Sequence, residues 1–146
     1  MKKVIIILGL LLGTTNLLAN AQEYTYTPDY IRHLKTCGKY SEEYITNIPT
    51  GDQNSPYLKV KSTEEILGYI NGKCYTKSEI YSYDLDKIIM TIKCGLTRTQ
   101  IAESAKKMQL VNMEQSDEAK KELQKDLTKI IEDRNSCRVK NYLEDN

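Results

Sequence analysis

An α+β domain is the fold this sequence predicts, and three features carry that expectation. Thr27-Pro28-Asp29 reads as a helix start, Asn71-Gly72 as the turn of a β-hairpin, and the stretch after Leu96 has helical spacing with capping residues. Helical signals thus flank a central block of strand signals, the pattern of helices segregated from an antiparallel sheet.

The first helix has a threonine cap, a proline where φ is already helical, and an aspartate near the positive end of the helix dipole. Tyr30, Leu34, Cys37, Ser41 and Tyr44 share one helical face. Gly38 either ends this helix or weakens it by about 1 kcal/mol relative to alanine. Asn47 to Pro56 is rich in helix and strand breakers and reads as a surface loop. A strand then runs from near Leu58 to Ile70, with Ser62-Thr63-Glu64 as a bulge or break. Asn71-Gly72 fits a two-residue type I′ turn into a second strand over Lys73–Ser82. A second turn at Tyr83-Asp84-Leu85 leads into Asp86–Cys94. There Ile88, Met90, Ile92 and Cys94 share a face, and Lys87, Thr91 and Lys93 oppose them. The expected product is a three-stranded antiparallel meander with one apolar face.

One or two C-terminal helices should cover that face. Thr97 and Gln100 have capping-box spacing, and Leu96 and Ile101 occupy the positions of a hydrophobic staple. Ala105 and Met108 extend the same face. Ser116-Asp117-Glu118 looks like a second cap, with a break near Asn112 to Gln115. The last helix is expected from Asp117 to about Leu143, carrying Leu123, Leu127, Ile130, Ile131, Cys137 and Tyr142. Its mixed-sign charges fit an ordinary solvated stripe.

The first 21 residues read as a secretory leader rather than as part of the fold. Lys2 and Lys3 form a basic head. Val4 to Leu12 is an apolar run too short for a bilayer span of about 20 residues. Ala19-Asn20-Ala21 supplies the small residues of a cleavage site, so the mature chain should start at Gln22 and form one domain over residues 22–146. The leader is bacterial in style and implies a periplasmic or secreted protein, with no transmembrane segment after cleavage. Without Lys2 and Lys3, 19 of the 21 basic residues remain against 20 acidic ones. Such a balance provides no global basic field for nucleic acid or anionic lipid. The chain has no Phe and no Trp but 11 Tyr, so tyrosine must provide the large aromatic bodies of the core.

An oxidising compartment permits disulfides, and four cysteines allow three pairings. Cys74 and Cys94 lie equally far from Asp84, which makes them cross-strand partners about the expected turn and opposes Ile80 to Ile88. Cys74–Cys94 is therefore the first choice, leaving Cys37 with Cys137; Cys37–Cys94 with Cys74–Cys137 is the runner-up. The spacing shows neither the paired ligands of a zinc site nor a C-x-x-C redox motif, and no metal or cofactor is expected.

Little in the chain points to chemistry. His33, the single histidine, sits beside Arg32 and Lys35 and reads as a rim residue. Glu42-Glu43 and Glu64-Glu65 offer adjacent carboxylates, but glycoside hydrolysis needs two held at a defined separation across a cleft. No phosphate-binding or dinucleotide glycine motif is present. The best candidate binding surface is the sheet itself. Lys59, Lys61, Lys73, Lys77 and Lys93 interleave with Tyr57, Tyr69, Tyr75, Tyr81 and Tyr83. The face expected to bind is Tyr75, Lys77, Tyr81, Tyr83 and Lys93, since aromatic rings beside cations can stack sugars, peptidoglycan fragments or bases.

The run Ile66 to Tyr75, with Cys94, Thr97-Arg98-Thr99-Gln100-Ile101 and the upstream Cys37 and Tyr40, resembles short exported bacterial proteins of unassigned function. That resemblance covers about Cys37 to Met108 and implies a hairpin, strand cysteines and a helix start, but no reaction. The expected function is a non-enzymatic exported domain binding a protein or cell-envelope component. A small periplasmic or extracellular hydrolase is the alternative.

Overall fold

A computed structural model describes residues 26–143. The leader and its cleavage site lie outside them. Helix α1 (Pro28–Thr36) is followed by strands β1 (Tyr40–Pro49), β2 (Tyr57–Ile70), β3 (Lys73–Ser82) and β4 (Lys87–Leu96), then helices α2 (Arg98–Met113) and α3 (Asp117–Glu132), and finally strand β5 (Cys137–Asn141). The strands form one antiparallel sheet in the order β1-β2-β3-β4-β5. The α+β class is as expected, but the three-stranded meander gains a strand at each edge.

Helix α1 begins as its sequence dictates. The Thr27 side chain accepts from Tyr30 N, and Pro28 opens the first turn. The helix stops at Thr36 because Cys37 turns into the left-handed region (φ 51°), with its own N–H and that of Gly38 closing onto Leu34 O and His33 O. The option of a helix continuing to Tyr44 is thereby overturned. Tyr40, Tyr44, Ile45, Thr46 and Ile48 suit a pleated surface, and the chain goes extended as β1, ending at Pro49 on the sheet edge.

The Asn71-Gly72 turn forms as expected, with both residues at positive φ and Ile70 paired to Lys73. The β2 irregularity lies elsewhere than Ser62-Thr63-Glu64. Leu67 is the extra residue, between the Ile66–Thr76 and Gly68–Tyr75 pairs, and Gly68 has φ +101°. The next turn is also longer than expected: Ser82 pairs with Lys87, so Tyr83 to Asp86 span it. A second bulge then leaves Ile89 unpaired between Ile88 and Met90. Together these shift the register, so that Ile80 opposes Met90 rather than Ile88, and Thr76 rather than Cys74 opposes Cys94. Ile88 and Met90 part company as well; Ile88 is 40% exposed while Ile89 and Met90 are buried.

Helix α2 carries the full capping box of Thr97 and Gln100, and both staple residues, Leu96 and Ile101, are buried. The last helix is shorter than expected. Asp133 ends α3 by accepting from Asn135 N and Ser136 Oγ on its carboxylate and from Ser136 N and Cys137 N on its carbonyl. This turn reverses the chain, and Cys137 to Asn141 pair with β4 instead of continuing a helix.

Those two added strands decide the disulfides. All four cysteines are bonded, as Cys37–Cys74 and Cys94–Cys137. This is neither the favoured pairing nor the runner-up. Cys94 and Cys137 are directly paired residues of β4 and β5, and Cys37 at the end of α1 reaches Cys74 at the start of β3. Both bonds lie on the helical side of the sheet. There Ile31 and Leu34 of α1 and Ile101 and Ala105 of α2 pack with Ile48, Val60, Ile66, Ile80, Met90, Ile92 and Leu96 in a single core. No helix among the described residues is long and apolar enough to cross a membrane.

Non-reducing peptide mapping is expected to recover the 37–74 and 94–137 links. The bonds span 37 and 43 residues, so removing either pair by alanine replacement should cost about 4 kcal/mol in denaturant unfolding. Gly68→Ala should cost about 1–2 kcal/mol by the same measurement, because its φ disfavours any Cβ.

Candidate functional site

Strand alternation sends the residues of β3 and β4 to two faces. Cys74, Ile80, Met90, Ile92 and Leu96 face the helices. Tyr75, Lys77, Glu79 and Tyr81 of β3, with Thr91 and Lys93 of β4, occupy the other face, which no described helix covers. Four of the five expected binding residues thus share one surface. Tyr83 lies in the turn at its end, where it meets Tyr81 edge-on with ring centroids 5.4 Å apart. Lys59 sits 5.4 Å over the Tyr83 ring, and the Tyr81 hydroxyl donates to Asp86. Tyr69 departs from the set. It pairs with Cys74 on the helical side, where Arg98 lies 5.5 Å over its ring.

One glycine decides how Tyr75 lies on this surface. Gly95 is paired with Tyr75, and a Cβ there would come within 3.1 Å of the ring, so Tyr75 lies down across the bare backbone of β4. Beside it, Lys77 is bonded to Glu79 at 2.9 Å, and that contact holds its ammonium above the usual lysine range. Cross-strand pairing then places Lys77 opposite Lys93, and Lys93 opposite Arg138. Thr91 is opposite Lys140 in the adjoining row. Arg138 and Lys140 also belong to this surface; the helical spacing of their segment conceals the strand in the sequence.

The helical side of β1 and β2 holds a second group of residues. In each adjacent carboxylate pair the two members point to opposite faces. Glu43 and Glu65 turn outward, Glu43 lying 3.7 Å from Lys61, whereas Glu42 and Glu64 are direct cross-strand partners beneath α1. Glu42 accepts from Thr27 Oγ1 at 2.6 Å and from the Tyr40 hydroxyl at 3.0 Å. Glu64 accepts from Ser78 Oγ, with the Tyr44 hydroxyl nearby. Burial, reinforced by the charge of Glu42, pushes the Glu64 carboxyl up to about 7 against those hydrogen bonds. Burial likewise raises the Tyr26, Tyr30 and Tyr44 hydroxyls, with Glu64 adding to each. The Tyr26 hydroxyl is buried with no hydrogen-bond partner among the described residues. The Tyr26 backbone is pinned by the Asn112 side chain, which accepts from its N–H at 3.0 Å and donates to its carbonyl at 2.7 Å.

This inner group clamps the start of α1 to the sheet. His33 joins the clamp, stacking on Tyr40 at 4.3 Å between centroids while its Nδ1 lies 2.7 Å from Asp29 O. Among the described residues its ring makes no hydrogen bond or ion pair with a carboxylate. All cysteines are disulfide-bonded, and among the described residues no group of three or more His, Cys, Asp or Glu side chains is placed to hold a metal ion.

The chain matches no protein-family model, no curated protein and no solved structure.

Glu64 makes stability depend on pH with a definite sign. Its folded value near 7 lies above the ordinary 4.5, so the folded state holds the extra proton between them. Stability is highest below about pH 4.5 as far as this group is concerned, and falls as pH rises to about 7. Glu64→Gln should remove that slope. At pH 8 it should unfold at higher denaturant than the parent, by up to about 3 kcal/mol, and at pH 4 the two should coincide.

Proposed function

We propose that this protein is an exported, non-enzymatic domain that binds a protein or cell-envelope component through the open face of its sheet. The observation that carries the reading is the gathering of Tyr75, Lys77, Tyr81 and Lys93 on the face that no described helix covers. An uncovered face with aromatic bodies and cations suits recognition, as each side chain has both a stacking or apolar part and a polar end. The two disulfides fit an oxidising compartment, in keeping with a periplasmic or secreted protein.

A small hydrolase is the second reading, and the meeting of Glu42 with Glu64 favours it. One carboxyl of the pair is raised toward neutrality and the other is held by two donors, which is the division of labour between an acid and a base. Against it, the hydrogen bonds of both carboxylates tie α1 and the strands together, which accounts for the pair without a substrate.

The two readings separate under mutation. Oxidised protein carrying Tyr75→Ala and Tyr83→Ala should lose capture of its partner from an envelope extract by at least tenfold while keeping its far-ultraviolet circular dichroism. Retained capture would refute the open-face reading. Hydrolysis of an envelope polymer that Glu64→Gln abolishes would establish the hydrolase instead.

A further inference from the structure

The open face carries a charge arrangement that the fold does not need. Lys77, Lys93 and Arg138 form one unbroken cross-strand row over β3, β4 and β5. At a strand spacing of about 4.8 Å, their Cα positions fall within about 10 Å. Like charges placed directly opposite one another on a sheet destabilise it. Lys77 is offset by Glu79 and by Glu65, its cross-strand partner on β2, but Lys93 and Arg138 have no ionic partner among the described residues. Lys140 stands one row along, 4.7 Å from the Tyr142 ring, and Lys73 emerges on the same face beyond Tyr75. Lys73, Lys93, Arg138 and Lys140 are all exposed.

We infer that this row docks the domain on an anionic lipid surface, the cations seating between phosphate headgroups. The inference rests on the open-face reading above and names what that face meets. Three observations favour a lipid surface over an acidic protein. The cations sit on neighbouring strands of one uncovered face, close enough together to meet adjacent phosphate headgroups. Tyr75 lies flat beside them, and tyrosine, with an apolar body and a polar tip, is a residue of membrane interfaces. The chain from Gln22 has 19 basic and 20 acidic residues, so a basic face leaves the remainder net acidic and orients the molecule toward a negative plane.

The test uses oxidised protein beginning at Gln22, since both disulfides and the whole described core lie within residues 26–143. Binding is measured by flotation with phosphatidylcholine vesicles and with vesicles containing about one quarter phosphatidylglycerol. Binding only to the anionic vesicles is expected, and it should vanish in about 1 M salt, where the screening length is ~3 Å. Lys93→Gln with Arg138→Gln should weaken it roughly thirtyfold, from about fivefold per cation near the surface. The same double variant should melt no lower than the parent, because it relieves the repulsion within the row. Lys106→Gln with Lys121→Gln, on α2 and α3, should bind as the parent does.

Equal binding to both vesicle types, or binding that the Lys93/Arg138 variant leaves intact, would overturn the inference. If vesicles are not bound but an acidic protein is captured and the Lys93/Arg138 variant releases it, lipid docking is overturned and the open-face reading stands. If neither those substitutions nor the Tyr75/Tyr83 pair changes any binding, the open-face reading falls with it.

Discussion

Two covalent clips set the limits within which everything else in this structure is arranged. The middle strands β2, β3 and β4 follow one another through short turns and can pair locally. The ends cannot. Helix α1 and strand β5 meet the sheet only across long stretches of chain, and each has a disulfide where it meets it. Cys37 caps the end of its helix, already turned left-handed, and its bond to β3 places α1 over the sheet's inner face. Cys94 and Cys137 are register partners, so their bond also fixes which residues of β5 oppose which residues of β4. Closing long loops in the unfolded chain is where a disulfide contributes most in the chain-entropy picture. A domain this small, with isoleucines and tyrosines but no phenylalanine or tryptophan, gains from that contribution.

With the ends held, the two faces of the sheet separate in character. The inner face joins an apolar core under α2 to a polar, tyrosine-rich clamp under α1. In that clamp the hydroxyl and carboxylate groups of Thr27, Tyr40, Glu42, Glu64 and Ser78 satisfy one another. The clamp explains how tyrosine can stand in for phenylalanine and tryptophan here: the Tyr40 and Tyr44 hydroxyls meet carboxylates, while that of Tyr26 is buried with no partner among the described residues. Its weakness is Glu64, a carboxyl whose proton is favoured by burial and by a neighbouring glutamate. The outer face has the opposite economy. It buries little beyond Thr91 and keeps its charges in water, so its like-charged row persists at a modest cost.

Much of this was legible in the sequence wherever a signal was local. The Thr27 and Thr97 caps, the Ser116 helix start and the Asn71-Gly72 turn each depend on a few adjacent residues, and each forms as read. Strand β1 is hidden because Ser41 and Tyr44 extend the helical spacing of Tyr30, Leu34 and Cys37; Gly38 is the clue that the helix ends. Strand β5 was hidden because Leu127, Ile130 and Cys137 keep helical spacing across Asp133, and only the run Asp-Arg-Asn-Ser marks the turn. The disulfide error followed from these and from the bulge at Ile89, which moves the register of a whole hairpin without leaving a glycine or proline to announce it. Glu42 and Glu64 were each visible, but a cross-strand pair between segments not both known to be strands has no trace in one dimension. The open face was the reverse case: its tyrosines and lysines alternate along β3, and alternation is what a strand converts into a surface.

Residue-level hydrogen exchange on the protein before and after reduction tests most directly whether the clips hold the ends. The expected result is that reduction lowers amide protection first and most in α1 and β5, at Ile31, Leu34, Arg138 and Val139, while the β2–β3 ladder around Ser62 and Ile80 is the last to exchange. Protection in α1 and β5 that survives reduction unchanged, or that falls only in step with the central strands, would contradict it.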